Sequence, residues 1–169
     1  IHHERQTPQY DITAIFPGTE YKIWVSTEKT LHAFDGTYWK KFTYEDKSLR
    51  DHTPFFRDDI GRFFFADGGD LLVLKNGEIT RFSDMKIYYP IIAASDKKGT
   101  VYMGLYDINT GGVYSFDGVS VKKLRAGRTR SIAVDSSGRV WATMRDSETD
   151  SMELMAMEGD EWSKWTDDI

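Results

Sequence analysis

The sequence predicts an all-β protein in which one small antiparallel sheet is repeated four times. Three observations predict it: glycine turns at a constant interval, an aromatic strand before each turn, and no lasting helical period of apolar residues. The chain has 169 residues, which is enough for one domain with a buried core, and 14% of them are Phe, Trp or Tyr. Such aromatic content is typical of half-buried strand surfaces.

The repeat is marked by four glycines, each of which follows an acidic residue or Asn. Successive glycines lie 41 residues apart, at Gly36, Gly77, Gly118 and Gly159. An aliphatic side chain stands five residues before each glycine, at Leu31, Leu72, Val113 and Leu154. Asp-Gly and Asn-Gly between apolar runs are typical of type I′ hairpin turns, in which both central residues have positive φ. The sequence therefore predicts a hairpin at each of these positions.

Each unit contains four strand-like segments. The innermost segments read ITAIF, TPFF, PIIAAS and SIAV, and the second segments carry one equivalent aromatic residue each, at Trp24, Phe64, Tyr102 and Trp141. The third segment is apolar on both faces, as in LLVL from Leu71 to Leu74, which is expected of a sheet packed between two others. Four strands in a unit of about 40–45 residues are typical of a propeller blade.

The predicted fold is thus a β-propeller of four blades, each of four antiparallel strands. The expected organisation is a single propeller domain over residues 1–169, with blades at about 11–43, 53–83, 88–125 and 128–166. Residues 1–10 are expected to form a flexible N-terminal lead.

Three arrangements of four blades remain open at this point. The chain could close as a four-bladed ring, pair with a second copy as a homodimer that completes a larger propeller, or be a fragment of a longer propeller. An unclosed stack would expose the aromatic faces of its end blades, which favours a fragment or a pairing half-ring over a closed monomer.

Three aspartates occupy equivalent positions in the turn between the first and second strands. Asp58, Asp96 and Asp135 each stand three residues before a glycine. We predict that each carboxylate accepts backbone N–H groups of its own turn, and that the three do not form a metal site.

The stretch SIAVDSSGRVWATM, from Ser131 to Met144, resembles the two-component regulator propeller repeat. Ile132, Asp135, Gly138 and Trp141 match the pattern I-x-x-D-x-x-G-x-x-W. The resemblance implies an extracytoplasmic sensor domain of the kind found in bacterial hybrid histidine kinases, often reading oligosaccharide breakdown products, and a periplasmic or extracellular location. Similar phrases occur in lectin-like propellers and in lyases related to streptogramin-cleaving enzymes.

Composition and motifs argue against several other classes of function. The formal charge of −5 disfavours nucleic-acid binding, which requires a basic surface. The chain has no cysteine and therefore no disulfide and no thiolate metal site. It also has no apolar run long enough to insert into a membrane. No phosphate-binding loop, nucleophile elbow or HExxH motif is present, so the sequence predicts no cofactor, no metal and no enzymatic activity.

The expected ligand site is the axial face formed by the links into the innermost strands and by the loops between second and third strands. Tyrosine rings stack on sugars and Arg forks bind carboxylates. Eight candidate residues fall on these segments: Arg50, His52, Tyr88, Tyr89, Tyr106, Arg128, Arg130 and Arg145. The predicted function is binding of a glycan-like or anionic ligand. A scaffold without a small ligand, and a lyase that would use His52 as a base, are the alternatives.

Overall fold

A computed structural model of the chain describes residues 3–4, 11–18, 20–27, 30–42, 54–67, 69–76, 78–88, 90–146 and 149–165. The described residues form seventeen β-strands, and none of them lies in a helix. The strands are grouped in four antiparallel sheets that follow one another along the chain, which confirms the predicted all-β architecture.

Each sheet is one blade, and its strands pair in chain order. Blade 1 contains β1 (His3–Glu4), β2 (Ile12–Pro17), β3 (Ile23–Thr27), β4 (Leu31–Phe34) and β5 (Trp39–Phe42). Blade 2 contains β6 (Phe56–Arg57), β7 (Phe63–Asp67), β8 (Gly69–Lys75) and β9 (Glu78–Ile87). Blade 3 contains β10 (Pro90–Ser95), β11 (Val101–Leu105), β12 (Gly112–Phe116) and β13 (Val121–Ala126). Blade 4 contains β14 (Thr129–Val134), β15 (Val140–Arg145), β16 (Met152–Glu158) and β17 (Glu161–Lys164).

Strands β2, β6, β10 and β14 are the inner strands, since β10 contacts both β6 and β14 of the neighbouring blades. Blade 1 differs from the others because β1 adds a fifth strand outside β5, with His3 opposite Lys40 and Glu4 opposite Trp39. The sequence assigns these two residues to a flexible lead. They lie before the first repeat unit, so the repeat carries no signal for them.

Among the described residues, the hydrophobic core consists of three clusters, each between two consecutive blades. Side chains alternate between the two faces of a strand, so one strand can contribute to two clusters. Strand β8 does so: Leu71 and Val73 pack towards blade 3, whereas Leu72 packs towards blade 1. This is the arrangement that the two-sided apolar pattern of LLVL predicts.

The blade 1–2 cluster contains Trp24, Leu31, Ala33, Phe63, Phe65 and Leu72. The blade 2–3 cluster contains Phe64, Leu71, Val73, Ile87, Val101, Met103, Leu105, Tyr114 and Phe116. The blade 3–4 cluster contains Val113, Ile132, Val140, Ala142, Met144 and Met155. No cluster of the described residues joins blade 4 to blade 1, so this part of the chain is a stack of four blades with two end faces.

In blades 2, 3 and 4 the turn between the inner and second strands is closed by an aspartate, as predicted. The Oδ1 atom of Asp135 accepts N–H bonds from Ser137 and Arg139, at 2.9 and 3.0 Å. Asp96 accepts equivalent bonds from two N–H groups, and Asp58 from one. These carboxylates complete their own turns, which is why the same residue type recurs at the same position of the unit.

The hairpin turns lie where the glycines predict, but three of them are of a different type. In the two-residue loop of blade 4 only Gly159, and not Asp160, has a positive φ. Asp35 and Asp117 begin four-residue loops in which the carboxylate accepts N–H bonds from the residues two and three positions later. Only the following glycines, Gly36 and Gly118, have positive φ, of 109° and 101°. The prediction of type I′ turns at these three hairpins is therefore wrong, because that type needs positive φ at both central residues.

Candidate functional site

The candidate site lies at one end of blades 3 and 4, where three segments meet. These are the loop after β11, the link from β13 to β14, and the end of β15. Two backbone bonds join them: the N–H of Arg145 donates to the carbonyl of Arg128 at 2.8 Å, and that of Gly127 donates to Gly111 at 3.3 Å. The segments therefore form one continuous surface at the end of the sheets.

Five side chains on this surface form what we call the Arg/Tyr cluster: Tyr106, Arg128, Arg130, Arg145 and Asp150. The ring of Tyr106 is its centre. The guanidinium carbon of Arg130 lies 5.1 Å from the ring centroid, and that of Arg128 lies 5.9 Å from it. Nη1 of Arg145 donates a hydrogen bond to the Tyr106 hydroxyl at 3.0 Å, and Nη2 of Arg145 pairs with Asp150.

The charges of the cluster act on one another. The hydrogen bond from Arg145 lowers the pKa of Tyr106 below its usual value, and the nearby positive charges of the arginines lower it further. The same guanidinium lowers the pKa of Asp150 by a side-chain hydrogen bond, while Asp150 raises the pKa of Arg145. The cluster therefore favours negative charge on the groups at its centre.

Two of the three guanidinium groups have no carboxylate partner among the described residues, although Arg128 also hydrogen-bonds to Tyr106. No described carboxylate lies within ion-pair distance of Arg128 or Arg130, whereas Arg145 is already paired with Asp150. Each available group presents N–H donors in a planar fork, which fits a carboxylate, sulfate or phosphate group. The arrangement can therefore hold an anion above the face or edge of the Tyr106 ring.

The loops that carry the cluster are held in shape by their own aspartates. The Oδ1 atom of Asp107 accepts N–H bonds from Asn109 and Thr110, at 2.8 and 2.7 Å. In the neighbouring loop Asp146 accepts an N–H bond from Thr149 at 2.7 Å. These oxygens serve as turn caps, so the loops preorganise the cluster.

Gly111 lies beneath the Arg/Tyr cluster, where the loop after β11 closely approaches the link from β13 to β14. A Cβ atom placed on Gly111 would lie 2.2 Å from the carbonyl oxygen of Asp107 and 3.3 Å from the Cα of Arg128. Only glycine lets the loop after β11 come this near to the link that carries Arg128 and Arg130.

Of the eight residues that the sequence places on this face, the structure brings four together: Tyr106, Arg128, Arg130 and Arg145. Tyr88 lies at the end of blade 2 and its ring packs over Gly69, where an added Cβ would be 2.7 Å from Tyr88 Cζ. No hydrogen bond or ring contact of the described residues links Tyr88 to the Arg/Tyr cluster. Arg50, His52 and Tyr89 lie outside the described residues.

Sequence reasoning missed Asp150 as a member of the site. The pairing with Arg145 depends on the loop folding back over the end of β15, with Asp150 at a φ of 58°. A positive φ at a non-glycine residue has no clear signal in a single sequence.

Comparison with known proteins bears on the fold. No family model matches the chain, and no curated protein matches it. Among solved structures, the extracellular domain of BT4673 from B. thetaiotaomicron, assigned to a one-component system, aligns over 96% of the chain with a TM-score of 0.63 and 12% identity. YCF48 bound to a D1 peptide aligns over 96% of the chain, with a TM-score of 0.58 and 16% identity. The chain has a β-propeller fold.

The propeller described here spans only part of these similar structures: 23% of the BT4673 chain and 57% of the YCF48 chain. The extracellular domain of BT3049, assigned to a hybrid two-component system of the same organism, aligns at 14% identity with a TM-score of 0.39, which is too low to bear on the fold. The described residues contain no helix long and apolar enough to cross a membrane.

Proposed function

We propose that this propeller is a non-enzymatic recognition module of the sensor type, which binds an anionic, glycan-like ligand at the Arg/Tyr cluster. The observation that carries the proposal is the pair of guanidinium groups of Arg128 and Arg130, which flank the Tyr106 ring without a described carboxylate partner. A sugar ring that bears a carboxylate would use both features, since its charged group binds the Arg forks and its C–H face packs on the aromatic ring.

The comparison supports the sensor part of the proposal. The BT4673 structure is an extracellular domain of a signalling protein, and it shares the fold over 96% of this chain. This likeness supports the proposal that the present propeller acts outside the cytoplasm. The resemblance of residues 131–144 to the two-component regulator repeat points to the same class of protein.

The direct test is thermal unfolding in the presence of a uronic-acid trisaccharide, with a neutral trisaccharide as the comparison. At a concentration of 100 times its Kd, the acidic sugar should raise Tm by roughly 5–10 °C. The neutral sugar should raise it much less. Added salt should weaken binding, because the contact depends on exposed charges.

Two variants test whether the rise in Tm comes from binding at the Arg/Tyr cluster. The double variant Arg128→Gln/Arg130→Gln should lose the Tm shift, because both available forks are removed. Arg139→Gln is the matched control, since Arg139 lies at the opposite end of blade 4, in the turn between β14 and β15. A shift that persists in the double variant, or no shift with any acidic sugar, contradicts the proposal.

A further inference from the structure

The carboxylate of Asp150 already occupies part of the anion-binding surface of the Arg/Tyr cluster. Nη2 of Arg145 donates a hydrogen bond to Oδ2 of Asp150, and the two side chains form an ion pair. This hydrogen bond lowers the pKa of Asp150, and the positive charges of Arg145 and Arg128 lower it further. One carboxylate of the chain itself is therefore held where two guanidinium groups act on it.

The ion pair between Arg145 and Asp150 is open to solvent on its acidic side. The side chain of Asp150 is 72% exposed and that of Arg145 is 30% exposed, whereas Arg62 and Asp58 form a pair whose side chains are 10% and 1% exposed. Exposed pairs contribute little to stability, because water solvates both groups when they separate. The carboxylate of Asp150 can therefore leave Arg145 easily, and a carboxylate from outside can take its place.

Arg145 should stay in place without Asp150, because its backbone is paired on both sides. It lies opposite Met152 on β16, and its N–H donates to the carbonyl of Arg128 at 2.8 Å. Its Nη1 atom is held separately, by the hydroxyl of Tyr106 at 3.0 Å. Departure of the Asp150 carboxylate would thus leave Nη2 of Arg145 as a donor in an unchanged position.

The backbone on either side of Asp150 is also fixed, so only the side chain has to move. The N–H of Asp146 donates to the carbonyl of Ser151 at 2.9 Å, and the N–H of Thr149 donates to Oδ1 of Asp146 at 2.7 Å. These bonds hold the two residues next to Asp150. A change of rotamer at Asp150 is therefore enough to free Nη2 of Arg145.

We propose that Asp150 is an internal competitor of the ligand: its carboxylate occupies Arg145 in the free protein, and the carboxylate of an acidic sugar displaces it. This inference rests on the proposed function, and it adds Arg145 to the ligand contacts of Arg128 and Arg130. The three guanidinium groups surround one ring, that of Tyr106, so a single carboxylated sugar can reach all of them. A neutral sugar brings no charged group that could replace Asp150, so the competition also favours acidic sugars over neutral ones.

Isothermal titration calorimetry with the uronic-acid trisaccharide tests the competition. Asp150→Asn keeps the size of the side chain, and Asn tolerates the φ of 58° at this position, so the variant should fold as the unmodified protein does. Its Kd should be roughly two- to fivefold lower, because Arg145 no longer has to be vacated before the ligand binds. Glu158→Gln is the matched control, since it removes one negative charge from an exposed pair with Arg139, and it should leave Kd unchanged.

A second comparison separates displacement from a general effect of charge. If Asp150 competes through Arg145, Asp150→Asn should no longer raise the affinity when Arg145 is changed to Gln. The Kd values of Arg145→Gln and of Arg145→Gln/Asp150→Asn should then agree within about twofold. A gain of the same size with and without Arg145 would show that Asp150 acts only through its charge at a distance, and it would overturn the proposal.

The titrations also distinguish this inference from the function on which it rests. If the unmodified protein binds the acidic sugar and Asp150→Asn binds it equally or more weakly, the inference alone is wrong, because Asp150 then plays no part or holds Arg145 in place for the ligand. If neither protein binds the sugar, the proposed function and the inference are both wrong.

Discussion

At the scale of single residues, the most constrained charged side chain in the described structure is Arg62, which joins blades 2 and 3. Its Nε atom donates to the carboxylate of Asp58 at 2.5 Å, and its Nη2 atom donates to the carbonyl of Gly99 at 2.6 Å. The guanidinium also lies over the rings of Phe64 and Phe116, at 5.3 and 5.8 Å from their centroids. Since Asp58 is buried, this arginine both neutralises a buried charge and holds two blades together.

Arg62→Met should lower the free energy of unfolding by roughly 3–5 kcal/mol, because it leaves the Asp58 carboxylate buried without a counter-charge. Urea denaturation at neutral pH measures the change. Arg62→Met/Asp58→Asn should cost less than Arg62→Met, since no unpaired charge remains. Arg139→Met is the control: Arg139 pairs with the exposed Glu158, and such surface pairs contribute less than about 1 kcal/mol. An equal loss in both arginine variants would contradict this role for Arg62.

At the scale of strands, the distance between blades 3 and 4 is limited by Gly104 on β11. A Cβ atom on Gly104 would lie 2.9 Å from Cγ2 of Thr129 and 3.3 Å from Cγ2 of Ile92. Thr129 is the first residue of β14 and is buried, so it cannot move aside without shifting the inner strand. The absence of a side chain at Gly104 thus allows blade 4 to pack closely on blade 3.

Gly104→Ala should destabilise the protein by roughly 1–3 kcal/mol through overpacking between the blades. Thr129→Ser removes the methyl group that the new Cβ would contact, so the double variant should be less destabilised than the sum of the two single changes. Thermal or urea unfolding of the four proteins gives this interaction energy. Additive losses would show that the contact between Gly104 and Thr129 does not limit the packing.

At the scale of the whole molecule, stability should differ between inner and end blades. Blades 2 and 3 are covered on both faces, whereas the described residues of blade 4 bury only the face towards blade 3. In a stack of repeats, each unit is stabilised mainly by its neighbours.

Amide hydrogens of β15 and β16 should therefore exchange faster than those of β11 and β12. Exchange followed by mass spectrometry checks this order. Equal protection of the strands in blades 3 and 4 would contradict this prediction.

Most of the fold could be predicted from the repeat, because equivalent residues in each unit pack against the same kind of neighbouring blade. Trp24, Phe64, Tyr102 and Trp141 could be aligned from the sequence, and their strands followed from the turns between them. The contacts across blades were not predictable in the same way. Arg62 binds a backbone carbonyl of Gly99, and a carbonyl group carries no residue-type signal.

The location of the candidate site could be predicted from the sequence, but the hydrogen bonds and ion pairs within it could not. Antiparallel blades bring the same loops to the same end, so Tyr106, Arg128, Arg130 and Arg145 could be assigned to one face from the sequence alone. Arg145 binds Tyr106 and Asp150, whereas Arg128 and Arg130 have no described carboxylate partner. This difference depends on loop conformations set by Asp107 and Asp146.

The outermost strands also determine how these molecules can aggregate. An outer strand presents unpaired backbone groups to any neighbouring chain, and charged side chains discourage such lateral growth. Strands β9, β13 and β17 carry exposed basic residues at Arg81, Lys122, Lys123 and Lys164, while β1 already occupies the rim of β5. Lateral fusion of sheets into fibres is therefore disfavoured at the sides of the molecule.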